Sequence, residues 1–107
     1  RIIYIMQQLE AMRTAMNLYH ADIRAYFHWS LLDNYEWGSY DLPFGLCAVD
    51  RKTFKRTPKP SAYFLRDVIA ANGMSGEIFE RHTPALPHFA LLDFDAEQPR
   101  TATKTQA

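Results

Sequence analysis

Residues 23–31 read Ile-Arg-Ala-Tyr-Phe-His-Trp-Ser-Leu, a nearly continuous apolar and aromatic run without strict alternation. A half-solvated strand alternates apolar and polar side chains. A strand covered on both faces does not, and such strands belong to parallel sheets. This run constrains the chain more than any other feature, because it demands packing layers on two sides. The segment before it supplies one such layer. Across 1–19, Ile2, Met6, Leu9, Met12, Met16 and Tyr19 recur at spacings of three or four, with Gln7, Glu10, Arg13 and Asn17 on the other side. That period predicts an amphipathic helix. The methionine stripe reads as core, since Met fills irregular gaps. Helix, short link at 20–22, buried strand is half of a βαβ rhythm.

After the run, 32–43 reads as a polar loop in which Tyr35, Trp37 and Tyr40 stand among Asp33, Asn34, Glu36 and Asp41. Residues 44–49 and 54–56 predict a small hairpin, and Pro58 and Pro60 then stop any strand. Ser61 is the expected cap of a second helix over 62–71, with Tyr63, Leu65, Val68 and Ile69 as its buried set. Asn72-Gly73 suits its end. Beyond Gly73 the pattern changes. Residues 74–107 read as a partly disordered tail, with a short apolar run at 89–94 and a polar, aperiodic stretch over 97–107.

Two tryptophans and a carboxylate, Trp29, Glu36 and Trp37, fall within nine positions. A sugar ring has an apolar C–H face and a rim of hydroxyls. An indole stacks under the face and its N–H donates to a hydroxyl. A carboxylate accepts from neighbouring hydroxyls in charge-assisted bonds. Taken one at a time, each residue has a plainer reading: the tryptophans as core, Glu36 as a solvated charge. Asp33 and Asn34 read as structural, bonding loop backbone. His28 reads as a hydrogen-bonded core histidine. No His/Cys/Asp/Glu spacing suggests a metal site.

The stretch Tyr26-Phe27-His28-Trp29-Ser30-Leu31-Leu32-Asp33-Asn34-Tyr35-Glu36-Trp37 strongly resembles the end of the eighth barrel strand and the following loop of family 1 glycoside hydrolases. The resemblance continues through Phe44-Gly45-Leu46, Val49-Asp50, Thr53, Arg56, Pro58-Lys59 and Ser61-Ala62, and reaches back to Arg1-Ile2 and Tyr4. It covers about residues 1–73 and implies an α/β fold: the seventh helix, eighth strand and eighth helix of a (β/α)8 TIM barrel. Residues 74–107 resemble no family. The resemblance implies substrate-binding roles for four residues. Trp29 is the platform under the sugar, Glu36 accepts from hydroxyls 4 and 6, Trp37 donates to hydroxyl 3, and Phe44 closes the rim. It also implies a cis peptide between Trp29 and Ser30. The related 6-phospho-glycosidases place Ser where Glu36 stands, so a non-phosphorylated sugar is expected. Pro43 departs from the pattern, since many members carry Arg there.

Retaining glycosidases use two carboxyls about 5–5.5 Å apart. The family carries them in an Asn-Glu-Pro motif and a Glu-Asn-Gly-type motif, and neither occurs in this sequence. The expected catalytic residues on this chain are therefore none. The expectation is a piece of a retaining β-glucosidase-like enzyme, inactive alone, its partner a small β-glucoside. The opening at Arg1-Ile2-Ile3-Tyr4 reads as a cut through a larger protein. The alternative is a non-catalytic remnant or carbohydrate-binding protein. A third reading makes Arg51, Lys52, Lys55, Arg56 and Lys59 with Phe54 a nucleic-acid patch. The balance of 12 basic and 12 acidic residues argues against it. No cofactor is expected. No apolar run approaches the roughly 18 residues of a membrane span. A single cysteine, Cys47, fits a reducing, cytoplasmic compartment.

Overall fold

The computed structural model describes residues 1–83. Within them lie α1 (Ile2–Tyr19), β1 (Cys47–Val49), β2 (Arg56–Pro58), α2 (Pro60–Ala71) and α3 (Gly76–His82). The expected stretches at 89–94 and 97–107 lie outside the described residues.

The helix predicted over 1–19 is α1. It ends where His20 turns left-handed at φ 53° and its N–H reaches the Ala15 carbonyl. The predicted apolar stripe is only partly buried. Ile5 and Met6 are inside, whereas Met16 and Tyr19 are exposed. The core gathers Ile5 and Met6 with Leu46, Phe64 and Val68, and α3 adds Ile78 and Phe79. Phe64, fully buried, is its largest member. Burying such a ring stabilises by about 1.5–3 kcal/mol. The far half of the stripe instead faces an open groove of about 480 Å³ between α1 and α2, lined by Leu9, Met12, Met16, Leu65 and Met74.

Residues 23–31 do not form the buried strand expected of them. No strand is assigned there, and Phe27, Trp29 and Leu31 are 91, 69 and 66 % exposed. The reason is the ladder. A strand is defined by neighbours that take its N–H and C=O groups. Among the described residues, only the end of this run finds them: Leu46 and Cys47 donate to the Ser30 and Leu31 carbonyls at 2.8 and 2.9 Å. A parallel bridge between Leu32 and Cys47 continues the pairing.

The hairpin forms, shifted from its expected place. Cys47–Val49 pairs antiparallel with Arg56–Pro58, and Pro58 sits within β2 opposite Cys47. Asp50 shapes the turn by accepting from the Lys52 and Thr53 N–H groups at 2.8 and 2.9 Å. Those bonds hold its carboxyl below the usual range, Thr53 contributing most.

Helix α2 starts before its expected cap. Pro60 occupies the first turn, where its missing N–H costs nothing, and Lys59, extended at ψ 163°, is the N-cap. Ser61 therefore lies inside the helix, its hydroxyl buried without a partner. Asn72 ends the helix left-handed at φ 48°, as Asn-Gly predicted.

Helix α3 falls within the stretch read as tail. Its signals are ordinary: the Ser75 hydroxyl accepts from the Ile78 N–H, Glu77 stands in the first turn, and Arg81 and His82 stand in the last. It docks on α2 through Asp67. There His82 Nε2 lies 2.7 Å from Oδ2 and Arg66 bonds Oδ1, with Arg81 3.7 Å away. The His82 ring also meets Phe64 edge-on at 5.7 Å. The hydrogen bond from His82, then that from Arg66, holds the Asp67 carboxyl below its ordinary value. A lowered folded pKa gives stability that is full above the unfolded value of about 3.9 and is lost as pH falls through the folded one. Acidification below about pH 4 should therefore loosen α3 from α2. Asp67→Asn should flatten that acid limb of the helicity profile. Superimposable acid limbs would contradict the assignment.

Candidate functional site

The loop after Leu31 is closed by a tight turn. Glu36 and Ser39 exchange both backbone hydrogen bonds, at 2.8 and 3.0 Å. The two residues between them, Trp37 and Gly38, have φ of 50° and 88°. Two positive φ values at the centre define the primed turn that suits antiparallel strands. Glycine adopts this backbone freely, but a tryptophan there is strained. The turn separates the neighbouring side chains. Glu36 is only 7 % exposed, while Trp37 is 90 % exposed.

Glu36 reaches back to the end of the aromatic run. The Trp29 indole N–H donates to Glu36 Oε1 at 2.7 Å, a short, charge-assisted bond. The peptide between Trp29 and Ser30 is cis, as the resemblance implied. Trp29 also lines a pocket of about 430 Å³ with Phe44, Tyr4, His28 and Arg1. Of the four expected site residues, then, Trp29 touches Glu36 and shares a pocket wall with Phe44. Trp37 stands apart on the outer side of its turn.

His28 keeps company with Tyr26, whose hydroxyl lies 3.2 Å from Nδ1. Its Nε2 is buried without a hydrogen-bond partner. Burial pushes the His28 pKa below the usual value, with the Phe44 backbone opposing in part. Burial, then Tyr4, raises the Tyr26 pKa. Among the described residues no three His, Cys, Asp or Glu side chains gather into a metal-holding group.

Asp33 carries weight that sequence reasoning assigned only in outline. Its Oδ1 accepts from the Gly45 N–H at 2.8 Å and from Lys59 Nζ at 2.6 Å. Lys59 also donates to the Pro43 carbonyl at 3.2 Å, and Arg1 bonds the same oxygen. Asp33 and Lys59 are 26 positions apart, and no local pattern in the sequence announces the pair. On the outer face Arg51 stacks over the Tyr40 ring at 4.0 Å and donates to the Asp33 carbonyl at 3.2 Å. Two of the five basic residues of the possible nucleic-acid patch are thus engaged: Arg51 and Lys59 both serve this loop.

An indole beside an aromatic rim, with a buried carboxylate bonded to the indole N–H, is chemistry that can hold a polyhydroxylated ring by stacking and by accepting hydroxyl hydrogens. The model of glycosyl hydrolase family 1 matches residues 1–74. The chain belongs to glycosyl hydrolase family 1. This is a family of β-glycosidases, and membership implies a (β/α)8 barrel. The chain is similar to thermostable beta-glucosidase B of Thermobispora bispora, 42% identical over 74 residues, which cover 69% of this chain and 15% of that protein. It is 38% identical over 76 residues to a beta-galactosidase of Sulfolobus acidocaldarius, covering 70% of this chain and 15% of that protein. A protein of Oryza sativa subsp. japonica named probable inactive beta-glucosidase 14 is 45% identical over 73 residues, covering 67% and 14%. The chain spans about 15% of the length of these curated relatives. No solved structure gives a significant match.

Proposed function

We propose that this segment is the sugar-holding wall of a retaining β-glycosidase acting on non-phosphorylated β-glycosides. In this reading it contributes the seventh helix, eighth strand and eighth helix of the family 1 barrel, and both catalytic carboxylates belong to other parts of it. The observation that carries the reading is the 2.7 Å bond between Trp29 and Glu36. It places a stacking ring and a buried acceptor against each other, which neither a core tryptophan nor a solvated surface glutamate requires. Trp29 lies under the sugar, Glu36 accepts from hydroxyls 4 and 6, Trp37 donates to hydroxyl 3 and Phe44 closes the rim.

Substrate class follows from charge. A phosphate brought against Glu36 would set two anions together in a poorly solvated site, at a cost of several kcal/mol. Glucosides and galactosides differ in the direction of one hydroxyl. Relatives named for each match this chain at similar identity, so the proposed class spans both sugars.

A polypeptide that joins this segment to its upstream barrel should hydrolyse 4-nitrophenyl β-D-glucoside with retention at the anomeric carbon, whereas the 107-residue chain alone should not. Inversion, followed by NMR of the first-formed sugar, would overturn the retaining assignment. One relative's printed name, probable inactive beta-glucosidase 14, favours a second reading, a binding protein that keeps the wall without the chemistry. That reading wins where the joined polypeptide binds methyl β-D-glucoside and leaves the nitrophenyl glucoside intact.

A further inference from the structure

The geometry points to Asp33 and Lys59 as positioning residues, a clamp that ties both ends of the 34–42 loop and so holds Glu36 against Trp29. The inference rests on the sugar-wall reading for its functional meaning, but its structural content stands on separate contacts.

Residues 34–42 leave at Asp33 and return at Pro43, and both ends meet at one ammonium group. Lys59 Nζ lies 2.6 Å from Asp33 Oδ1 and 3.2 Å from the Pro43 carbonyl. The same Asp33 oxygen accepts from the Gly45 N–H at 2.8 Å. The pair is largely removed from water, with 17 and 14 % of the two side chains exposed. Screening is therefore weaker here than between exposed charges.

The clamp is anchored on both sides. The Asp33 N–H donates to the Cys47 carbonyl at 2.9 Å, which joins the loop's entry to β1. The Lys59 N–H donates to the Leu46 carbonyl at 2.8 Å, and Lys59 is also the N-cap of α2. The loop's closing point is thus fixed to the packed helix, while its tip carries Glu36.

Glu36 needs such help. Its side chain has one hydrogen bond among the described contacts, from the Trp29 indole. The turn that carries it includes a tryptophan at positive φ, a conformation that persists only where its surroundings enforce it. Loosening the loop ends would release both the turn and the carboxylate. Group positions must be held closely for their bonds to count, and a displacement of about 1 Å can cost about 100-fold.

The test uses the ¹⁵N-labelled 107-residue chain. It has two indoles, so Trp37→Phe assigns the Trp29 Nε1–H signal. Three variants follow: Lys59→Met, the neutral double variant Asp33→Asn/Lys59→Met, which leaves no unpaired buried charge, and Lys59→Arg. The Trp29 signal should shift upfield towards a free indole in the first two, with helicity unchanged, and return in Lys59→Arg. In a polypeptide that joins this segment to its upstream barrel, methyl β-D-glucoside should bind the double variant about tenfold more weakly than the wild type. A Trp29 signal that stays in place in the double variant overturns the inference. So does loss of helicity together with the signal, because the pair then supports the whole fold rather than the loop. If the joined polypeptide ignores the glucoside yet the Trp29 signal still moves in the variants, the clamp stands and the sugar-wall reading fails.

Discussion

Glu36→Gln should lower kcat/KM for an unphosphorylated β-glucoside by about 100-fold in a barrel that carries this segment. The substitution keeps shape and removes charge. Its amide oxygen can still accept from the Trp29 indole, which takes one carboxylate oxygen at 2.7 Å. The amide nitrogen is then left where the second oxygen stood. A donor would face the sugar hydroxyls in place of an acceptor. Charged hydrogen bonds contribute about 1.5–3 kcal/mol each, and in the proposed reading two hydroxyls depend on this group. Such bonds strengthen as the ring approaches the oxocarbenium-like transition state, so the loss should fall on kcat as well as on KM. Steady-state kinetics of the two proteins decides the point. Wild-type constants in Glu36→Gln would remove this residue from the site.

The second large effect concerns Gly45→Ala. A Cβ at this position would fall far inside contact distance of the Asp33 backbone nitrogen and the Leu32 carbonyl carbon, and 2.8 Å from Asp33 Oδ1. Two of the three neighbours are backbone, so no rotamer change relieves the clash. The chain must move apart where Leu46 and Cys47 donate to the Ser30 and Leu31 carbonyls and Cys47 accepts from Asp33. Overpacking alone costs about 1–3 kcal/mol and occasionally more, and each broken hydrogen bond adds about 1 kcal/mol. Local destabilisation of about 4 kcal/mol or more is expected. It should be read as lost amide protection at Leu46 and Cys47 and a collapsed near-ultraviolet signal from the Trp29 environment. Native-like protection at both amides in Gly45→Ala would refute the close-approach argument.

The two helices flanking the site were legible in sequence for local reasons. The three-and-four spacing of 2–19 is a property of α1 alone, and Asn72-Gly73 ends α2 by backbone preference alone. Ser61 misled because its hydroxyl suits a cap, yet Pro60 already fits the first turn and moves the start of the helix back to Lys59. The run at 23–31 misled differently. Its composition describes an environment with layers on both faces, and among the described residues its pairing is confined to the Ser30 end. Helix α3 carries legible signals in Ser75, Glu77, Arg81 and His82, but seven residues are too few to show a helical period beside the aperiodic stretch that follows. At the site, residue types were legible and their contacts were not. Trp29 and Glu36 announce sugar chemistry by kind, but that the indole hydrogen meets the carboxylate depends on the 37–38 turn. Asp33 and Lys59 meet only because β1 and β2 bring Lys59 back beside the loop.

The outward Trp37 has a thermodynamic consequence. Its indole is 90 % exposed at the crest of a two-residue turn, so unlike Trp29 it is not held in advance by a buried carboxylate. If it grips a sugar, it must surrender rotamer freedom at that moment, about 0.5–1.5 kcal/mol for an immobilised side chain. Association with this wall would then carry a favourable enthalpy set against an entropic penalty concentrated in one residue. The two tryptophans would divide the work: Trp29 recognises a ring as a fixed surface, whereas Trp37 closes on it as a latch.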